Sequence, residues 1–361
     1  MKILYIAPLP PPINGHSLVS KEFYDSLLDE HEVTVINLRK QSLKEGVDSF
    51  GRILEIAKVL IHTFIKKKKA GIIYFTISES LAGNLKDLLI YIICYNLLPK
   101  MYIHLHGGSL KRLLFDKYPL LFSINRFFIK RMAGVILSGK SHLEIFESYV
   151  DARRISIVPN FAQDYLFASE NQIKKKFKTV GSKIRLLFIS NMIPLKGYSV
   201  LLDGFLGLPK RIRKEFSLEF AGRFDTDEER VLFEQRIENI PNVEYHGLID
   251  DQKKKELFDT AHIFCLPTMF FEGQPISILE AYAAGCVVIT TGQSGILDIF
   301  ADKINGYQIE ENSTDSIVRI LSEVVQHKSM LSKIGVSNNR TAFEKYRVIA
   351  YTSGLKKVIG I

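Results

Sequence analysis

The stretch HIFCLPTMFFEGQPISILE, residues 262–280, decides the fold. An apolar run, Ile263–Leu266, stops at Pro267. A loop carrying Glu272, Gly273, Gln274 and Pro275 follows, and then a helical spacing of apolar residues, Ile276, Leu279, Tyr282 and Ala283, begins. This reads as strand, loop, helix. In open α/β sheets ligands settle where the loop leaves the carboxyl end of such a strand. Two carboxylates, Glu272 and Glu280, bracket the junction. A helix N-terminus carries partial positive charge and unpaired amides, which suits a phosphate. Gly273–Ile276 would let the backbone approach it, with Pro275 near the first helical position, where proline is favoured. Each carboxylate could accept hydrogen bonds from sugar hydroxyls. The plainer reading, helix capping by Glu272 and a structural role for Glu280, stands beside this one on spacing alone.

Working outward, the same alternation repeats. Ile184–Ser190 is a strand, and Lys196-Gly197 ends the loop before a helix over 198–206. A lysine there can neutralise a diphosphate as a point charge, or be an ordinary turn residue. The strand over 217–221 reaches Gly222-Arg223, and the strand over 243–246 opens at Gly247. Upstream, KILYIA (2–7), a Pro/Gly loop with Asn14-Gly15, a helix over 17–28 and EVTVINL (32–38) form a Rossmann-like start without a G-x-G-x-x-G motif. MYIHL (101–105) leads into His106-Gly107-Gly108. His104 and His106 share a strand face and lack an evident third metal ligand. His106, at the strand end, is a candidate substrate contact or a structural turn residue. Asp225-Thr226-Asp227 has the look of a metal-binding D-x-D, but its place before an acidic helix favours N-capping.

A chain of 361 residues, 47% hydrophobic and 24% charged, is long for one core and points to two globular domains. Three dispersed cysteines in apolar runs read as buried thiols rather than disulfides or a zinc site. The N-terminus lacks the long apolar region of a signal peptide, and no run reaches about 18 apolar residues. The net charge of +9 lies mostly in residues 1–165, with 22 Lys+Arg against 15 Asp+Glu. That bias suggests an anionic partner for the first half. Lys66–Lys69 and the Arg126, Lys130, Arg131 cluster follow apolar helical stretches, as on surfaces that rest on anionic membrane. No nucleic-acid motif accompanies them.

FFEGQPISILEAYAAGCVVIT, SNMIPLKG (190–197), IVPN (157–160), AHIFCLP (261–267) and INGY (304–307), together with the N-terminal Pro/Gly loop and HLHGG, resemble glycosyltransferase family 4, retaining enzymes of the GT-B fold. The resemblance covers nearly the whole chain, and its most specific part is the E-x7-E signature. It implies an α/β, GT-B architecture of two Rossmann-like, doubly wound domains facing a central cleft. Domains are expected at 1–165 (acceptor side) and 184–347 (nucleotide-sugar side), with a linker at 166–183 and a C-terminal helix over 348–361 returning to the first domain.

The resemblance also implies roles. Glu280 would bind the nucleotide ribose, and Glu272 the donor sugar near the reacting centre. Gly273, Gln274, Pro275 and Ile276 would hold sugar and phosphate, and Lys196 the diphosphate. Asn14 and Gly15 would approach the donor phosphates, His106 would lie near donor sugar and acceptor, and Leu248 and Ile249 would line the base pocket. One departure stands out. Ser190-Asn191 occupies the place of a usual Gly-Arg pair, so the diphosphate lacks that arginine, and Arg223 is expected to compensate. No metal or cofactor is expected. The donor would be a nucleotide-diphosphate sugar and the acceptor a glycan or polyprenyl-diphosphate-linked glycan, in surface polysaccharide assembly. A cytoplasmic enzyme at the inner membrane face is expected. Two other readings are a non-catalytic nucleotide-sugar-binding partner and a GT-B-fold nucleotide-sugar epimerase.

Overall fold

The computed structural model describes residues 1–38, 50–178, 180 and 183–361. The chain forms two compact units. The first takes in Met1–Asn160, Phe271–Gln274 and Ile349–Ile361, and the second takes in Phe161–Phe270 and Pro275–Val348.

The first unit is built on a parallel sheet of β1 (Lys2–Ala7), β2 (Glu32–Asn37), β3 (Ile72–Thr76), β4 (Met101–Leu105), β5 (Gly134–Leu137) and β6 (Ile155–Ile157). The strand order is β2-β1-β3-β4-β5-β6. Strands buried on both faces read as continuous apolar runs, and β3, IIYFT, is buried at every position. The helices are α1 (Gly15–Leu27), α2 (Phe50–Lys66), α3 (Leu81–Ile93) and α4 (Pro119–Ile129). Asn14 and Ser17 close a capping box at the start of α1, and Ser80 caps α3. Lys140–Ile145 forms a short 3-10 turn.

The second unit runs α5 (Glu170–Lys178), β7 (Ile184–Ile189), α6 (Tyr198–Gly207), α7 (Lys210–Arg213), β8 (Phe216–Ala221), α8 (Asp227–Ile237), β9 (Val243–Tyr245), α9 (Asp251–Thr260), β10 (Ile263–Leu266), α10 (Ile276–Ala283), β11 (Val287–Thr291), β12 (Gly306–Ile309), α11 (Thr314–Gln326) and α12 (Lys328–Lys345). Its sheet is parallel, ordered β12-β11-β10-β7-β8-β9. The last helix, α13 (Val348–Ile359), lies almost wholly in the first unit. There Tyr351 Oη donates to Val19 O at 3.4 Å, and Lys356 pairs with Glu30 at 3.0 Å.

The expected linker is not one. Within 166–183, α5 buries Ile173 (0% exposed), Phe177 and the stem of Lys176 in the second unit's core. Ile173, Lys176 and Phe177 fall at the i, i+3, i+4 spacing of one buried helix face. Positions 179, 181 and 182 of that segment lie outside the described residues. Thr226 caps α8 by accepting from Glu229 N at 3.2 Å, so Asp225-Thr226-Asp227 has the capping role that its position favoured. All three cysteines are buried free thiols. Among the described residues, no helix is long and apolar enough to cross a membrane.

Candidate functional site

In each sheet the strand order reverses at one point, and there the loops leaving the carboxyl ends part and open a crevice. In the first unit the reversal lies between β1 and β3. After β1 come Asn14, Gly15 and His16, after β3 comes Glu79, and after β4 comes His106. These segments meet. The rings of His16 and His106 lie 4.6 Å apart, and those of His104 and His106 lie 3.8 Å apart. Tyr74 Oη bonds to His104 Nδ1 at 2.6 Å, which makes His104, at 0% exposure, a structural residue. His106 is different. Its ring is partly exposed, yet both nitrogens are screened from water and neither has a hydrogen-bond partner among the described residues. Buried polar atoms are nearly always satisfied, so this ring holds a donor and an acceptor in reserve. Burial, with the neighbouring histidines adding to it, pushes its pKa well below the ordinary range. The ring is therefore neutral at physiological pH.

Glu79 braces the turn that follows. Its Oε1 accepts from Ser109 N at 2.5 Å, and a second backbone bond comes from Leu110. Burial pushes its carboxyl up to about 7 against these bonds, and the neighbouring Glu272 adds to the rise. Residues 271–274 pack in this same unit. Ser109 Oγ donates to Phe271 O at 3.4 Å, and the Arg112 guanidinium lies 4.5 Å from the Phe271 ring centre. Asn160 N donates to Gln274 Oε1 at 2.6 Å, and Asn160 Nδ2 to Gln274 O at 2.9 Å. Gly273 is required by crowding. A Cβ there would fall 1.8 Å from His106 O. Glu272 is 7% exposed and Gln274 is 5% exposed. Gln274 thus works as a backbone anchor for its loop.

In the second unit the reversal lies between β7 and β10. The loops after these strands are tied together, with Met269 N donating to Leu195 O at 2.7 Å and Thr268 Oγ1 to the same oxygen at 3.3 Å. Lys196 stands on this loop with Nζ 5.0 Å from the Phe270 ring centre. Gly197 follows in the left-handed region (φ 79°), with Pro267 O 2.1 Å from where a Cβ would be. Pro275 is the N-cap of α10, and no side chain caps that helix. Glu272 is therefore not its cap. Ile276 is half-buried at the helix start. Glu280 is 1% exposed and forms an ion pair with Lys254 of α9. Asn191 is exposed, and the next residue pairs with the segment after β8, with Met192 N donating to Arg223 O at 2.8 Å. The exposed Arg223 is thus brought beside the Asn191 loop. Ile249 packs on the core, and Leu248 is 77% exposed.

Sequence reasoning passed over His16, Glu79 and Lys254. None of the three belongs to a spaced pattern. The signal for the first two was the topology, since both leave the reversal point of their sheet.

The structure of Anabaena HepE in complex with UDP superposes with a TM-score of 0.75 over 100% of both chains, at 16% identity. The fold is GT-B. Residues 169–341 match the family described as Glycosyl transferases group 1. This likeness to a glycosyltransferase domain covers just under half of the chain. Among curated proteins, an uncharacterized glycosyltransferase of Methanocaldococcus jannaschii is 23% identical over 58% of this chain and 53% of its own length. The lipopolysaccharide 1,2-N-acetylglucosaminetransferase of Salmonella typhimurium is 23% identical over 59% of this chain and 58% of its own. The chain thus spans little more than half the length of these curated relatives. The matched residues 169–341 hold Lys196, Arg223, Lys254 and the whole Glu272–Glu280 stretch.

Proposed function

We propose that the GT-B chain is a retaining glycosyltransferase of family 4. In this reading it moves a sugar from a nucleotide-diphosphate donor to a glycan or polyprenyl-diphosphate-linked acceptor in surface polysaccharide assembly. The observation that carries this is the reversal point of the second sheet. There an uncapped helix start, Pro275–Ile276, and the Lys196 loop leave adjacent strands, with buried Glu280 about one turn into the helix. Such a helix start favours an anion, a lysine adds charge, and a buried carboxylate suits the two hydroxyls of a ribose. The UDP complex of HepE and the action of the Salmonella enzyme as a lipopolysaccharide 1,2-N-acetylglucosaminetransferase support a nucleotide-sugar donor and a lipid-linked glycan acceptor.

In this reading the bond from the anomeric carbon to the diphosphate oxygen breaks while Lys196, the α10 amides and Arg223 stabilise the charge that develops on the leaving phosphate. The acceptor hydroxyl attacks the same face, and its proton passes to that phosphate oxygen. Glu272 and neutral His106 position the sugar and form no covalent bond to it. Glu280 exchanges its pairing with Lys254 for the ribose. The chemistry calls for no metal or redox cofactor.

The first unit also supports work at an anionic membrane. Helix α2 exposes Ile53, Leu54, Ile61, Phe64 and Ile65 and runs into Lys66–Lys69, and α3 exposes Leu85, Leu89 and Ile92. Apolar side chains flanked by lysines match a surface that dips into acidic lipid. In this reading the enzyme works at the cytoplasmic face of the membrane, and flotation with anionic liposomes at low salt tests the membrane contact: failure to float refutes it.

The test of the function is to incubate the protein with a panel of nucleotide sugars, with and without a lipid-linked acceptor, and to measure free nucleotide diphosphate. Acceptor-dependent release is the expected result. Donor binding without release would show the non-catalytic partner instead, the reading that Asn191 favours, and acceptor-independent epimerised product would show an epimerase.

A further inference from the structure

A group of side chains outside the proposed donor site forms a metal-ligating set, and its geometry follows from the sheet. Residues two apart on a strand share a face, so Glu244 on β9 and His246 just beyond it point the same way. The parallel register sets Glu219 of β8 directly beside Glu244. His246 stays in line because its backbone amide donates to Phe220 O at 2.9 Å. Three potential ligands therefore converge on one face at the edge of the sheet, where β9 is the outermost strand.

The ligand atoms lie close. His246 Nε2 is 3.0 Å from Glu219 Oε2 and 3.9 Å from Glu244 Oε2, and all three lie within 4.8 Å of one another. Ligands at about 2.1 Å from a tetrahedral zinc sit about 3.4 Å apart, a value that the two observed distances bracket. Glu219 and His246 are largely shielded, at 20% and 16% side-chain exposure, while Glu244 at 72% is the open side. Two carboxylates set side by side repel unless something positive lies between them. One imidazole with two carboxylates suits zinc, whereas magnesium and calcium favour oxygen ligands alone.

We infer that Glu219, Glu244 and His246 bind a single zinc ion, with water in the remaining position, and that this ion pins edge strand β9 to β8. The site is structural and separate from the sugar-transfer reading, which calls for no metal. Its place next to Gly247 means that it also holds the base of the loop carrying Leu248 and Ile249.

The test uses the full chain stripped with a chelator and then dialysed against micromolar zinc chloride or magnesium chloride. Bound metal is counted by mass spectrometry, and thermal unfolding is followed in parallel. The expected result is a single equivalent of zinc, no magnesium, and a higher Tm with zinc. His246→Ala should lose both the equivalent and the Tm rise. Glu244→Gln, at the exposed position, leaves packing untouched and should lose the Tm rise even if His246→Ala fails to fold. Wild-type protein that retains no zinc overturns the inference. So does zinc retained at the same stoichiometry, with the same Tm rise, by Glu244→Gln, because the ion then sits elsewhere.

Discussion

One methyl group added at Gly273 tests how the loop between β10 and α10 is held. Nothing in the residue's own backbone angles demands glycine. The demand comes from a Cβ that would lie 1.8 Å from His106 O, where real contacts essentially never fall below 3.0 Å. Something must move by at least 3.0 − 1.8 = 1.2 Å, and the obstacle is backbone rather than a flexible side chain. Overpacking of this kind costs about 1–3 kcal/mol. For a unit of this size that is a fall in Tm of roughly 2–12 °C. The cheapest relaxation lifts residues 271–274 away, weakening the Asn160–Gln274 pair and shifting Glu272. A displacement of about 1 Å at reacting groups costs on the order of a hundredfold in rate. Gly273→Ala should therefore lower kcat about a hundredfold while the fold persists, as read by nucleotide-diphosphate release and thermal unfolding. Gly247→Ala is the control. Its φ is +68° but no atom lies within 4 Å of the added carbon, so it should cost about 1–2 kcal/mol of backbone strain and leave kcat nearly intact. Gly273→Ala with normal kcat and normal Tm would refute the reasoning.

Three other expectations follow from the site. Glu79 carries a native pKa of about 7 against 4.5 for the ordinary group. The folded state thus holds a proton that the unfolded chain has lost. Stability falls as pH rises from 4.5 through 7 and levels off above, by at most about 3 kcal/mol. Glu79→Gln should remove that fall, so the two Tm curves should converge or cross between pH 5 and 9, and parallel curves would count against it. Arg223→Ala and Lys196→Ala should each weaken donor binding by about tenfold or more, the value of a charge-assisted bond, measured by calorimetry. Unchanged affinity in Arg223→Ala would end the idea that it replaces the arginine missing at Asn191. His106 stays neutral at physiological pH because burial holds its pKa well below the ordinary histidine range, so kcat should show no limb near pH 6.5, and His106→Gln should retain more activity than His106→Ala.

Much of this was legible from apolar periodicity. Both sheets, the strand–loop–helix at His262–Glu280 and the Lys196 turn follow from runs bounded by Pro and Gly. The packing of α5 into the second unit's core was harder to see. Lysines dominated the segment, yet Ile173 and Phe177 marked a buried face. His16, Glu79 and Lys254 were not legible because their meaning depends on which strands are neighbours, and no local pattern encodes that. Leu248 shows the reverse limit. Its position after Gly247 was legible, but its 77% exposure was not.

The most direct test of the central claim compares wild type with Glu272→Gln in acceptor-dependent release of nucleotide diphosphate, with donor binding measured on the same samples. The account predicts release by wild type, and in Glu272→Gln a loss of turnover of about a hundredfold or more with donor binding and Tm retained. Equal turnover in the two proteins, or no release from any nucleotide sugar with any acceptor, would contradict it.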